Sequence, residues 1–188
     1  MKYFTLLLLF FSSLIISDFT IASDIIVKNY LIEKGFDVFI PNFPNSEKPI
    51  YEDWKKYFEE NYEEKLNETS LVIAHSLAPQ FVLRYLDEKN ISIGELILVA
   101  PTPNDLGLKE LTDFFKKDFD AEKIKKLVKK IKIFGSNNDP YLPLSAFEQW
   151  TKDLNAEFIL VPSREHINQK SFPEIQPLID EAAKNLNI

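Results

Sequence analysis

The sequence predicts a single α/β domain, one doubly wound and mainly parallel sheet of about six strands with helices on both faces. Three observations carry that prediction. Residues 70–74, 95–100 and 131–134 are short, almost unbroken apolar runs, as strands buried on both faces read. Amphipathic helical stretches lie between them, which is the pattern of βαβ units. Beyond residue 23 no internal repeat or low-complexity linker interrupts the chain, and 188 residues suit one domain.

The elements follow in order. Lys2 precedes an uncharged run over residues 4–17, ended by Asp18. A signal peptide fits it loosely, with an apolar core and small residues over 20–23. A buried first strand with its following loop fits as well. The run is short against the ~20 residues that a bilayer core requires. Residues 24–34 place Ile25, Ile26, Tyr30 and Leu31 at helical spacing, with Gly35 as the stop. Residues 36–40 read as a strand closed by Pro41, and 42–49 as a loop holding two prolines. A charged amphipathic helix over 51–66 is anchored by Trp54, Tyr57, Phe58 and Tyr62. After the strand at 70–74, Pro79 lies in the first turn of a helix running to residue 86. The strand at 95–100 leads into a loop over 101–107 and a lysine-rich helical segment over 108–130. The strand at 131–134 stops at Gly135; a helix over 145–154, a strand over 157–161 and a closing helix over 173–186 complete the chain.

Composition narrows the chemistry. The chain is 45% hydrophobic, 13% aromatic and 27% charged, which is a globular balance with rings to fill a core. A net charge of −7 argues against a nucleic-acid partner held by phosphate neutralisation. The absence of cysteine excludes disulfides, thiolate metal sites, a cysteine nucleophile and a lipidated cysteine. Two histidines, His75 and His166, are too few for a His-rich metal centre. Trp54 and Trp150 read as core or groove anchors rather than a cofactor box, and the lysines of 116–130 as a solvated helix face.

In open α/β sheets ligands bind at the carboxyl ends of the strands, so the residues just past each strand come first. Leu71-Val72-Ile73 is followed by Ala74-His75-Ser76-Leu77-Ala78 and then a helix. That is the layout of a nucleophile elbow, with alanine at both glycine positions of G-x-S-x-G. An ordinary helix N-cap is the plain alternative. In the elbow reading Leu77 offers its backbone N–H to an oxyanion at the start of the helix, and His75 lines the turn. Gly135-Ser-Asn-Asn-Asp139-Pro follows the next such strand. It is strong turn chemistry whatever its function, yet an acid here can orient a histidine. His166, past the strand at 157–161, is the one histidine outside the elbow and so the candidate base for Ser76. The order Ser76, Asp139, His166, each after a strand, is that of α/β-hydrolases.

With these residues in place the chain resembles the retinoblastoma-binding protein 9 and YdeN-like serine hydrolases. The resemblance rests on residues 134–143 (FGSNNDPYLP), the Ala-His-Ser-Leu-Ala elbow, Pro41-Asn-Phe-Pro44 and Asn104-Asp-Leu-Gly107. It runs from about residue 24 to the C-terminus. It implies a small α/β-hydrolase without a cap domain, and Ser76, Asp139 and His166 as nucleophile, acid and base. It implies hydrolysis of small ester or amide substrates with no metal or organic cofactor. Membrane contact is not expected. The chain departs from the family pattern at Ala74, Ala78 and Glu165, the last standing where a glycine usually precedes the histidine. It also lacks the glycine-rich loop that supplies a second oxyanion donor, its slot being residues 9–21. The slot length suits a first strand over 3–10, which favours retention of residues 1–22 in one domain of residues 1–188 and a cytoplasmic location. Export after cleavage at Ala22 is the alternative. A hydrolase-fold protein that has lost activity and serves in binding is the rival function.

Overall fold

In a computed structural model, which describes residues 5–9, 20–169 and 171–186, six strands form one sheet. They are β1 (Thr5–Leu9), β2 (Asp37–Phe39), β3 (Leu71–His75), β4 (Ile93–Val99), β5 (Val128–Gly135) and β6 (Glu157–Leu160). Their order is β2-β1-β3-β4-β5-β6 and every pairing is parallel, which is the architecture expected. The strand order reverses between β1 and β3, so the crevice past β3 is where such a sheet binds its ligand. The helices α1 (Thr20–Glu33), α2 (Tyr51–Asn61), α3 (Ala78–Lys89), α4 (Ala121–Leu127), α5 (Leu144–Leu154) and α6 (Gln176–Leu186) cover both faces.

Strand periodicity sorts the core into two layers. Val72, Ala74, Leu96, Leu98, Ile131 and Ile133 face α2 to α5, whereas Leu71, Ile73, Ile97, Val99 and Phe134 face α1 and α6. The first layer holds most of the aromatic content. Trp54 stacks on Phe43 at 4.2 Å and meets Phe81 and Phe114 edge-on, while its indole N–H donates to the Pro44 carbonyl at 3.0 Å. Each such ring contributes roughly 1.5–3 kcal/mol by leaving water. The second layer buries a charge. Lys132 is 1% exposed and reaches Glu181 on α6 at 2.5 Å, and Asn185 on the same helix donates to Glu95 at 2.7 Å.

The helix expected over 51–66 ends at Asn61 and is followed by a 3-10 turn over Glu63–Lys65, and a larger difference lies further on. Residues 108–130 do not form one helix. A short 3-10 turn covers Thr112–Phe115, α4 has seven residues, and the strand begins at Val128 rather than residue 131. Asp120 caps α4 by accepting from the Lys123 N–H at 3.1 Å, which sets its start. Its end is set by the sheet, since Val128 pairs with Ile93 and Lys130 with Glu95. Lys129 and Lys130 therefore belong to a strand and not to a helix face. Of the segment expected as signal peptide or first strand, Thr5–Leu9 pairs with β2 and β3. The expected oxyanion loop lies, over residues 10–19, outside the described residues. Among the described residues no helix is long and apolar enough to cross a membrane.

Candidate active site

The chain leaves β3 through Ser76, whose backbone is left-handed at φ +59°. Two backbone hydrogen bonds pin it across the end of β4, from the Ser76 N–H to Val99 O at 2.9 Å and from the Thr102 N–H to Ser76 O at 3.0 Å. A left-handed non-glycine residue costs about 1–2 kcal/mol, so this turn is held by its neighbours. Ala74 and Ala78, on either side, are buried. Leu77 forms the N-cap of α3, and its N–H is the first backbone amide past the serine.

The acid follows β5. Asp139 has no exposed side-chain surface, and its Oδ1 accepts the N–H groups of Tyr141 and Leu142 at 2.8 and 3.0 Å. Its Oδ2 lies 2.8 Å from His166 Nδ1, and His166 Nε2 lies 3.0 Å from Ser76 Oγ. With Nδ1–H donating to the carboxylate, Nε2 carries the lone pair and accepts from the Ser76 hydroxyl. The structure thus brings Ser76, Asp139 and His166 into one hydrogen-bonded line. The Tyr141 ring stands edge-on to the His166 imidazole at 5.2 Å and is partly exposed.

The histidine sits on a backbone that alternates through the left-handed region, with φ of +60° at Ser163, +49° at Glu165 and +53° at Ile167. Glu165 at positive φ gives the physical reason a glycine would be at ease there. The segment is tied to the acid loop. Asn137 Oδ1 accepts the Ser163 N–H at 3.0 Å, Ser136 Oγ the Arg164 N–H at 3.0 Å, and Asn138 Oδ1 the Glu165 N–H at 2.9 Å. His75 adds a bond from behind, its Nε2–H donating to the His166 carbonyl at 2.9 Å. From the sequence, Ser136, Asn137 and Asn138 read only as turn residues and His75 as lining. The signal for more was four polar side chains in a row where a turn needs one. Gly135, at the head of this loop, is required by packing, because a Cβ there would collide with the buried Phe147 ring.

A cleft of about 380 Å³ is lined by Gln80, Asn104, Phe115, Phe119 and Trp150 among others. Its Pro103–Asn104 wall directly follows Thr102, which is bonded to Ser76. Among the described residues no group of three or more His, Asp or Glu side chains forms a metal-type donor set.

Comparison with known proteins gives the family and the fold. Residues 40–181 match the family described as serine hydrolase. The chain is 29% identical over 133 residues to the YdeN protein of Bacillus subtilis (strain 168), covering 69% of this chain and 70% of that protein. It is 27% identical over 143 residues to the serine hydrolase RBBP9 of Rattus norvegicus, covering 75% of each. The solved structure of the B. subtilis ydeN gene product superimposes with a TM-score of 0.83 at 22% identity, covering 97% of this chain and all 100% of that one. Est1E from Butyrivibrio proteoclasticus does so with a TM-score of 0.69 at 14% identity, covering 97% and 87%. At these identities the structural likeness speaks to the fold, which is that of the α/β-hydrolases.

Proposed function

The chain belongs to the serine hydrolase family, and on that premise we propose that it cleaves small-molecule esters or amides through Ser76, His166 and Asp139 by way of an acyl-enzyme. The single observation that supports this most is the continuous line from Asp139 Oδ2 to His166 at 2.8 Å and from His166 to Ser76 Oγ at 3.0 Å. Ser76 Oγ attacks the substrate carbonyl as its proton passes to His166 Nε2. The oxyanion that forms is met by the Leu77 N–H at the start of α3. His166 then gives the proton to the leaving group, and the acyl-enzyme remains on Ser76. In the second half His166 takes a proton from water, which attacks the ester, and returns it to Ser76 Oγ. Asp139 holds the imidazole in the required tautomer and stabilises its charged form.

The same reading keeps Thr5–Leu9 in the folded domain of residues 1–188, with a cytoplasmic location. Its support is the place of β1 between β2 and β3, since removal would leave β3 as an open edge. The test is hydrolysis of short-chain p-nitrophenyl esters by wild type and Ser76→Ala. The expected outcome is turnover by wild type and a loss of several orders of magnitude in Ser76→Ala. Turnover that Ser76→Ala leaves unchanged would count against Ser76 as the nucleophile. Folded wild type that turned over no ester would favour the rival reading, a binding protein on a hydrolase fold. The glycine-free stretch over residues 10–21 motivates that reading.

A further inference from the structure

We propose that Ser136 and Asn138 are positioning residues for the hydrolysis, acting on His166 through the backbone that carries it. The inference rests on the reading of Ser76, Asp139 and His166 as the reacting groups. The segment before and after His166 places Ser163, Glu165 and Ile167 in left-handed conformations, none of them glycine and one of them β-branched. Such a backbone persists only where its surroundings over-determine it. The surroundings are specific here. Three successive N–H groups, of Ser163, Arg164 and Glu165, are each accepted by a different side chain of residues 136–138. The next residue of each run, Asp139 and His166, makes the ion-pair contact. The two loops are thus matched residue run against residue run.

Ser136 and Asn138 also close a ring. The Arg164 N–H can only donate, so Ser136 Oγ accepts there and its one proton goes to Asn138 Oδ1 at 2.7 Å. That oxygen also accepts the Glu165 N–H, which fixes the orientation of the amide. Ser136, at the centre of the ring, is 1% exposed, whereas Asn138 and Glu165 close it from the exposed side. A turn residue serves its own loop, as Asp139 Oδ1 does for Tyr141 and Leu142. Asn138 Oδ1 instead spends one of its two bonds on the histidine segment. Without it, the Glu165 N–H and the Ser136 hydroxyl lose their acceptor, and the left-handed backbone is free to relax with His166 at its end.

The test compares Asn138→Ala with Asn138→Asp in the full-length protein, by ester kinetics and by thermal melting. Misplacing a reacting group by an ångström can cost about 10²-fold. Asn138→Ala is therefore expected to lower kcat by about 10- to 100-fold with KM within about twofold. Asn138→Asp retains an acceptor oxygen and is expected to recover most of that loss. A loss confined to kcat, recovered by Asn138→Asp in a protein that melts like wild type, is a readout that general destabilisation would not give. The proposal is overturned if folded Asn138→Ala keeps wild-type kcat, or if Asn138→Asp is as damaged as Asn138→Ala. Should Asn138→Ala fail to fold, Ser136→Ala carries the test, with a kcat loss of about tenfold expected and wild-type kcat overturning the proposal. A wild type indifferent to Ser76→Ala would instead remove the reading of the triad on which the proposal rests.

Discussion

Glu165 stands at φ +49°, is exposed, and directly precedes His166, so its replacement by glycine isolates the strain of one backbone position. A left-handed conformation costs an L-residue about 1–2 kcal/mol, and glycine is free of that penalty. Against it, glycine gives the unfolded chain more freedom, worth about 0.4–1 kcal/mol. The N–H that donates to Asn138 is retained, so no hydrogen bond is lost. The difference predicts that Glu165→Gly stabilises the protein by roughly 0.5–1 kcal/mol, a rise in Tm of about 2 °C for a chain of this size. Calorimetric melting measures it, with Lys56→Gly as the control. Lys56 is exposed in the middle of α2, where glycine should cost about 1 kcal/mol. With the loop otherwise unchanged, ester kcat should stay at the wild-type value. A Glu165→Gly protein that melts at or below wild type would refute the argument that this backbone is strained and held in place.

Two further perturbations test the packing around the site and the second core layer. Gly135→Ala drives a Cβ into the Phe147 ring and should destabilise by about 1–3 kcal/mol in urea titration, with α5 forced away from the acid loop. Glu181→Ala removes the partner of the buried Lys132, a loss of about 1–3 kcal/mol near pH 7. Hydrogen bonds from Lys130 and Lys132 hold the Glu181 carboxyl down at about 2, below its ordinary 4.5. Its contribution is therefore full above the ordinary value and lost as pH falls towards 2. The stability gap between wild type and Glu181→Ala should close over that acid window, and a gap independent of pH would contradict the pairing.

The fold is legible in the sequence where strands are buried on both faces. Leu71–Ile73 and Leu96–Val99 have side chains in both core layers, so their apolar runs are nearly unbroken and cannot be mistaken for surface. Residues 108–130 are harder, because lysine stems serve equally on a helix face and a strand rim. What ends α4 is the pairing of Val128 with Ile93, a contact some 35 residues away that local spacing does not carry. The candidate site divides in the same way. Ser76, Asp139 and His166 can be nominated because topology brings strand ends together and their side chains have few other uses there. The roles of Ser136, Asn138 and His75 depend on acceptors and donors in the backbone of residues 164–166, and backbone direction is not written in side-chain order. Glu165 shows the limit from the other side. A glutamate gives no hint of positive φ, which only the closed loop reveals.

The central claim is that Ser76 is an activated nucleophile. The most direct measurement is the intact mass of folded wild type and folded Ser76→Ala before and after a fluorophosphonate probe, which transfers its phosphonyl group to an activated serine with loss of fluoride. One adduct is expected on wild type and none on Ser76→Ala. Folded wild type that takes up no probe, or an adduct that persists in Ser76→Ala, would contradict it.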